Sequence, residues 1–407
     1  MVLAPSPLED TASPGALKLA VGGQRSVEPH RQDAHGASSV RQHTIIQEHL
    51  LTADHDIPAS GPRNILVIQT AFLGDLILTL PLIQGLAEAF PDGRIAVLAI
   101  PSTNEILCNH PAVGDRLVFD KRGRDRGWRG LLRMARQLRQ EGFDTALVPH
   151  RSLRSALLAA LAGIPRRVGF DTSAGSFLLT DRVRRDRSVP EIERNLSLLG
   201  ALGLQPAGGP TRIYPGRDHR RRAQAFLDRH WDTPPEDLIG VAPGSVWPTK
   251  RWLPEGYAEV IRQLWEKDGR SVVIFGGVED GPLCRQIAQQ SGVRVPVAAG
   301  ELSALAAAAL MERCRLVVSN DSAAAHLAAA AGRPVVSIFG PTVPAFGFAP
   351  VGGGHIVLEA DLDCRPCGIH GGHRCPRGTF ACMRAITPEA VLEAVRSILS
   401  AKQARPA

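Results

Sequence analysis

Residues 64–100 read NILVIQTAFLGDLILTLPLIQGLAEAFPDGRIAVLAI, and this stretch decides the fold. The run 64–69 is short and apolar through its centre, which is typical of a buried parallel strand. Residues 76–90 carry apolar side chains at helical spacing, and 94–100 form a second apolar run after the turn at 91–93. A strand, a helix and a second strand in this order predict a βαβ unit.

The alternation of strands and helices continues along the chain and restarts near residue 238. Further strands are predicted at 116–119, 145–148, 238–242, 271–275, 316–319 and 334–339, with helices at 131–140, 255–267 and 322–331. We therefore predict an α/β fold with two doubly wound, Rossmann-like domains, at 61–225 and 236–400, after a flexible extension at 1–60. In such folds ligands bind at the carboxyl ends of the strands, so the cleft between the domains is the expected site.

Composition excludes several classes of protein. The 407 residues are 44% hydrophobic and 21% charged, which excludes a mostly disordered chain, a collagen and a coiled coil. The sequence holds no run of 18 apolar residues and no secretory signal, so we expect a cytoplasmic protein. The net charge of +7 is mild and aromatic residues are only 5%, so nucleic-acid binding is not expected.

The first chemical motif is Phe72-Leu73-Gly74-Asp75, between the first strand and its helix. A carboxylate at a helix start is stabilised by the helix dipole and could accept a proton from a substrate hydroxyl. The alternative interpretation is an aspartate that only caps the helix.

The second motif is APGSVWPTKRW at 242–252, a loop after a predicted strand. Ser245, Lys250 and Arg251 offer a hydroxyl and two cations to a phosphate. The spacing is not that of a Walker A loop, and a solvated basic loop remains the alternative.

The third motif is SNDSAAAH at 319–326, where a strand ends and an Ala-rich helix begins. Free N–H groups at such a helix start can bind an anion, and Asp321 could bind sugar hydroxyls. Alternatively, Asp321 or Ser322 only caps the helix and His326 is a core residue.

The fourth motif is a cysteine-rich segment at 364–382, containing Cys364, Cys367, Cys375 and Cys382. Four thiols could bind a structural zinc or iron ion, with His370 and His373 as substitute ligands. Reduced free cysteines or a redox pair are the alternatives.

Four segments together resemble the ADP-heptose:lipopolysaccharide heptosyltransferases, a glycosyltransferase family with the GT-B fold. They are ILVI, LGDL and TLP within 65–81, AGIPRRVG at 162–169, PGS with KRW within 243–252, and VSNDS with His326. The cysteine segment and ITPE at 386–389 further resemble the heptosyltransferase II branch. The resemblance spans residues 64–399.

The resemblance implies inverting transfer of heptose from ADP-heptose to a hydroxyl of the lipopolysaccharide inner core. Asp75 matches the residue taken as general base, and Lys250 matches the lysine that contacts the donor diphosphate. The other donor contacts that it implies are Asp321 for the heptose, Ser245 and the amides of Ser322 and Ala323 for the phosphates, His326, and Glu279 or Asp280 for the nucleoside. The family often has Gly-Leu or Gly-Met where this chain has Ala323-Ala324.

Other partners follow from charge. The Arg-rich stretch 116–187, with Arg151 and Arg154 after a strand end, suits an anionic acceptor, or is a solvated face. No Asp-x-Asp pair lies near the donor loop, so no cofactor is expected to be required for catalysis. Peripheral contact with the inner membrane surface is also compatible with the sequence.

Two alternative functions remain at this point. The first is a heptosyltransferase with a protein or another glycan as acceptor. The second is a non-catalytic nucleotide-binding protein on a GT-B scaffold, although Asp75, Lys250 and Asp321 together argue against it.

Overall fold

The computed structural model describes residues 17–21, 62–206 and 209–403. It contains two six-stranded sheets, which confirms the predicted α/β architecture. The first sheet is wholly parallel, in the order β4-β3-β2-β5-β6-β7. Its strands are β2 (Asn64–Ile68), β3 (Arg94–Ala99), β4 (Asp115–Val118), β5 (Thr145–Val148), β6 (Arg166–Phe170) and β7 (Asp181–Val183).

The second sheet has the order β1-β12-β11-β10-β8-β9 and is parallel except for β1. Its strands are β1 (Leu17–Val21), β8 (Leu238–Ala242), β9 (Val272–Ile274), β10 (Cys314–Asn320), β11 (Val335–Phe339) and β12 (Ile356–Ala360). Strand β1 differs from the flexible extension expected at 1–60. It pairs antiparallel with the edge strand β12 through backbone hydrogen bonds, which local periodicity does not reveal.

Helices connect the strands in both units. Those of the first unit are α1 (Leu73–Ile77), α2 (Leu80–Ala89), α3 (Gly127–Gln140), α4 (Leu153–Leu161) and α5 (Glu191–Leu196). Those that follow are α6 (Arg217–His230), α7 (Pro254–Glu266), α8 (Gly281–Ser291), α9 (Ala304–Met311), α10 (Ala323–Ala330), α11 (Ala381–Arg384) and α12 (Pro388–Gln403). Within the described residues, no helix combines the length and the apolar character needed to cross a bilayer.

The helix predicted at 76–90 is two helices, α1 and α2, separated at Leu78 and Thr79. Pro81 lies in the first turn of α2, where its missing N–H costs nothing. Within one continuous helix, the Pro81 ring would clash with the carbonyl of Ile77. The break lets α1 end early, so that it occupies the carboxyl edge of the sheet.

The two sheets share one buried apolar cluster. It includes Ile65 and Val67 from β2, Val317 from β10 and Ala325 from α10. Helix α6 crosses residue 225, where the first domain was predicted to end, and it packs against α9 of the second unit. Ion pairs Arg220–Glu312 and Arg229–Glu301 hold α6 to that unit.

Candidate active site

The site lies where the two sheets direct the carboxyl ends of their strands at each other. Helix α1 follows β2 and packs against α10, which follows β10. Gly74 makes this approach possible, because a Cβ there would lie 3.2 Å from Cδ2 of His326 and 3.7 Å from Cα of Ala323. The loop after the opening strand therefore faces the donor loop predicted at 321–326.

Asp75 occupies the third position of α1 and lines a cavity of about 820 Å³. Its Oδ2 accepts the backbone N–H of Phe72 at 3.2 Å, so the carboxylate also caps the helix. The pKa of Asp75 is raised to about 6, chiefly by burial and in smaller part by the charge of Glu191. The hydrogen bond from the Phe72 N–H lowers this pKa, and so does the positive charge of Lys250 in the other domain. The carboxylate is thus ionised at neutral pH and unusually basic.

Glu191 begins α5 and lines the same cavity as Asp75. Its Oε2 accepts hydrogen bonds from Arg185 at 2.6 Å and from Arg194 at 2.7 Å. Its backbone N–H donates to the carbonyl of Gly347 in the second unit at 2.9 Å. A fixed second carboxylate therefore lies near Asp75.

Lys250 and Asp321 form a buried ion pair on the opposite wall. Nζ of Lys250 lies 2.6 Å from Oδ2 of Asp321, and their side chains are 12% and 6% exposed. Thr342 Oγ1 donates to the same Oδ2 at 2.6 Å. The pair fixes the lysine ammonium at the cleft, where it can attract an anion.

Helix α10 begins beside this pair. Ser322 precedes it in an extended conformation without a side-chain cap, and Ala323 is its first residue. The N–H groups of its first turn have no intrahelical acceptors, so they can bind an anion. His326 is buried in the same helix, and burial lowers the pKa of its imidazole to about 4. It is neutral at pH 7 and packs against α1.

The remaining predicted donor residues follow strands β8 and β9 at the carboxyl edge of the second sheet, and none of them is among the residues that line the cavity. Ser245 is buried, and its Oγ accepts the N–H of Trp247 at 3.3 Å. Asp280 packs on the loop of Ser245, because a Cβ at Gly244 would lie 2.4 Å from the Asp280 carboxylate. Glu279, the other candidate for the nucleoside, is exposed.

Basic residues cluster on the acceptor side of the cavity. Arg151 lines it together with Lys121, Arg122 and Arg185, whereas Arg154 is exposed and is not among the lining residues. Nζ of Lys121 donates to the carbonyl of Thr70 at 2.6 Å.

The arginines of the stretch 116–187 have different roles. Arg139 and Arg167 bind backbone carbonyls and so brace the fold. Arg185 instead reaches the cavity, and its buried Nε has no hydrogen-bond partner among the described residues. An anionic ligand in the cavity could accept that hydrogen bond.

The cysteine-rich segment closes the site from the second unit. Gly372 and Thr249 exchange hydrogen bonds: the Gly372 N–H donates to Oγ1 of Thr249 at 2.8 Å, and Oγ1 donates to the Gly372 carbonyl at 2.9 Å. His370 lines the cavity, and His373 packs edge-on against Trp247. The segment therefore supports the loop that carries Lys250.

The four cysteines remain free thiols, and a metal bound there stays a prediction. Among the residues that the structure describes, no group of three or more His, Cys, Asp or Glu side chains is placed to hold a metal ion. Backbone N–H groups of residues 377–380, chiefly that of Phe380, lower the pKa of the Cys375 thiol.

This arrangement suits transfer of a group from an anionic leaving group to a hydroxyl. One wall offers a basic carboxylate, and the other offers a cation and a helix start. Sequence analysis missed Glu191 and Arg185. The one signal for Arg185 is the Arg-rich composition of residues 116–187, which does not single it out, and Glu191 lies outside that stretch.

Comparison with known proteins identifies relatives of this arrangement. The family model "Glycosyltransferase family 9 (heptosyltransferase)" matches residues 131–370, more than half of the chain. Lipopolysaccharide heptosyltransferase 2 of Escherichia coli K12 is 29% identical over 360 residues, which cover 84% of this chain and 100% of that protein.

Two solved structures have the same architecture at 27% identity. A family 9 glycosyl transferase from Veillonella parvula has a TM-score of 0.76, with 83% of this chain and 98% of that one covered. The E. coli ADP-heptose lps heptosyltransferase II has a TM-score of 0.69, with 84% and 100% covered. The fold is accordingly the GT-B fold of two Rossmann-like domains.

Proposed function

Because the chain belongs to glycosyltransferase family 9, the heptosyltransferases, we propose that it moves heptose from ADP-heptose to a hydroxyl of the lipopolysaccharide inner core. Family membership makes the chain a glycosyltransferase. The relatives named for lipopolysaccharide and ADP-heptose support the two substrates. The single observation that carries the proposal is the juxtaposition of Asp75 with Lys250 and the start of α10 across one cleft.

In the proposed reaction, Asp75 is the general base. The acceptor oxygen attacks the anomeric carbon of heptose and loses its proton to the Asp75 carboxylate. A pKa of about 6 leaves Asp75 ionised at pH 7, yet close enough to that pH to hold the proton in transit. The bond from the anomeric carbon to the β-phosphate oxygen breaks at the same time, with inversion at that carbon.

Stabilisation of ADP is the second task. Negative charge grows on the β-phosphate as the bond breaks, and Lys250 lies where it can offset that charge. The N–H groups of Ser322, Ala323 and the residues after them add a helix-terminus anion site. Asp321 would hold the heptose hydroxyls while keeping Lys250 in position. We expect no divalent cation to be required for this step.

The cavity supports an anionic acceptor. Arg151, Lys121 and Arg185 lie on its walls, and Arg185 has an unused buried Nε–H. Phosphate or carboxylate groups of a core oligosaccharide would accept hydrogen bonds from these groups. The proposal keeps the cytoplasmic location expected from the sequence and includes contact with the membrane surface.

A mass-spectrometric transfer assay tests this function. Purified protein is incubated with ADP-heptose and, in separate reactions, with a heptose-deficient lipopolysaccharide core, an unrelated glycan and a protein acceptor. The expected product is the core, heavier by one heptose, with release of ADP. Heptose on only the protein or the unrelated glycan would contradict the acceptor assignment, and no ADP release with any of the three would contradict transfer itself.

A further inference from the structure

Three exposed apolar side chains stand around the mouth of the acceptor cavity. Trp128 is 67% exposed, Phe177 69% and Leu153 44%. Each follows closely on residues that line the cavity: Arg122, Ala174 and Ser152 respectively. Single exposed apolar side chains are common, but several that lie together with polar groups around them mark an interaction surface.

These side chains belong to neighbouring elements. Helices α3 and α4 pack against each other, and both begin at the carboxyl edge of the first sheet, Trp128 and Leu153 being in their first turns. The 3₁₀ turn Ser176–Leu178 lies on the start of α4, since a Cβ at Gly175 would be 3.2 Å from Cα of Leu153. The three groups therefore share one edge of the molecule.

The same edge is strongly basic. It carries exposed arginines in the loop before α3, in its first turn and in α4, namely Arg122, Arg124, Arg126, Arg129 and Arg154. The two acidic residues that lie among the arginines before and at the start of α3 are already engaged. Asp125 is 1% exposed and bound by Arg133 at 2.7 Å, while Asp120 accepts the N–H groups of Gly123 and Arg124.

We propose that this rim patch, formed by Trp128, Leu153, Phe177 and the five arginines, docks the protein on an anionic lipid bilayer. Aromatic side chains favour the interface between headgroups and acyl chains, and arginines bind lipid phosphates. Aromatic residues and arginines also occur in protein interfaces, so the choice of partner rests on charge. Five exposed arginines, with the two carboxylates among them already engaged, are complementary to a uniformly anionic bilayer. Docking in this orientation opens the cavity toward the bilayer.

The use of this docking in catalysis rests on the proposed function. A lipopolysaccharide acceptor is anchored by its lipid, so its sugars stand at the height of the headgroups. A cavity whose rim lies on the bilayer would receive those sugars without extracting the lipid. Binding to the bilayer itself requires neither donor nor acceptor, so the two ideas can fail separately.

Vesicle co-sedimentation tests the docking. The full chain is mixed with vesicles of phosphatidylcholine alone or with phosphatidylglycerol, at low and high salt. We expect at least tenfold stronger binding to the anionic vesicles, falling as salt screens the arginines. The variants Trp128→Ser/Phe177→Ser and Arg126→Glu/Arg129→Glu should each lower that binding about tenfold or more, since one basic residue contributes about fivefold.

Matched control variants distinguish binding through this patch from non-specific adsorption to the vesicles. Arg221→Glu/Arg222→Glu on α6 changes the net charge equally, and Trp265→Ser on α7 removes another exposed tryptophan. Both should bind vesicles like the wild type. All variants should keep the wild-type unfolding midpoint and transfer to a delipidated core acceptor in solution.

The proposal is overturned by weak, equal binding to both kinds of vesicle, or by control variants that lose as much as the rim variants. Vesicle binding without transfer to the soluble acceptor would instead count against the proposed function and leave the docking in place.

Discussion

The carboxylates of Asp75 and Glu191 line one cavity, and their mutual repulsion sets the first prediction. Asp75 acts as a base only when ionised, so kcat/KM should fall about tenfold per pH unit below pH 6, where its pKa lies. Glu191→Gln removes a charge that raises this pKa. The acid limb of the pH–rate profile should therefore move to lower pH, and a series of buffers with the transfer assay measures it.

Glu193→Gln is the matched control for this shift. Glu193 lies two residues further along α5 and is exposed, so its loss should leave the limb near pH 6. Two results would contradict the coupling of the two carboxylates. One is a wild-type pH–rate profile in which the rate does not fall between pH 7 and 5. The other is a fall in rate that stays at the same pH in Glu191→Gln.

The buried ion pair of Lys250 and Asp321 gives the second prediction. Lys250→Met leaves the Asp321 carboxylate buried without its cation, which costs roughly 3–5 kcal/mol of unfolding free energy. The double variant Lys250→Met/Asp321→Asn removes both charges and should recover most of that stability. Affinity for ADP should stay at least tenfold below the wild type in both variants, because the phosphate contact is lost.

Urea denaturation and titration calorimetry with ADP separate the two effects. Wild-type ADP affinity in the stable double variant would mean that Lys250 holds the loop and does not contact the diphosphate.

The sequence alone identifies the site residues that lie in short motifs near a glycine or the start of a helix. Asp75, Lys250 and Asp321 each lie in a short motif after a strand, and the structure brings all three to one cleft. Glu191 and His370 could not be found in this way. Each is more than 100 residues from Asp75 in the chain: the fold of the first unit brings Glu191 to the cavity, and the packing of the second unit against the first brings His370 there.

Among the elements, the cysteine-rich segment has a supporting role that can be tested. Thr249 is buried, and its hydroxyl is paired with the backbone of Gly372. Thr249→Val keeps the shape but leaves the Gly372 N–H unpaired, at a cost of about 1–3 kcal/mol. Since Lys250 is the next residue, KM for ADP-heptose should rise about fivefold or more.

Thr387→Val provides the control, because Thr387 accepts an N–H at the start of α12 and is exposed. It should change the unfolding midpoint slightly and leave KM unaltered. Unchanged KM in Thr249→Val, at wild-type stability, would show that the segment does not support the lysine loop.

Most strands and helices could be predicted from their periodicity, and the exceptions have physical causes. The strands at 145–148 and 238–242 have the predicted bounds, because continuous apolar runs mark strands that are buried on both faces. Helix α1 was not expected to be separate, because the breaking effect of Pro81 depends on its position in the turn. Strand β1 depends on an edge provided more than 330 residues later.

The whole molecule depends on close contact between α1 and α10. At Gly74 a larger side chain would meet His326 and Ala323, so Gly74→Val should separate the two helices. We expect transfer to fall at least tenfold while ADP affinity stays within about twofold, because the donor contacts lie in the other domain. Small-angle scattering should show a larger radius of gyration than the wild type.

Gly85→Ala, in the buried α2 outside the cleft, is the control for a glycine change in the same unit. It is expected to keep the wild-type radius of gyration and transfer per folded molecule. Full transfer activity in Gly74→Val would contradict the need for this contact.

The sequence indicates that there are two domains, but it does not determine how they are positioned relative to each other. Two doubly wound units imply a cleft, yet which loops face each other across it depends on contacts such as that of Glu191 with Gly347. The structure supplies that arrangement, and the proposed chemistry depends on it.

The most direct measurement is to compare turnover and ADP affinity in Asp75→Asn. Asparagine keeps the size of the side chain and removes the base, so turnover should fall about 10²–10⁴-fold with ADP affinity unchanged. The unfolding midpoint at pH 7 should rise, because a carboxyl whose pKa is raised on folding is costly to keep ionised. Wild-type turnover in this variant would contradict the assignment of Asp75 as the base that faces the donor site.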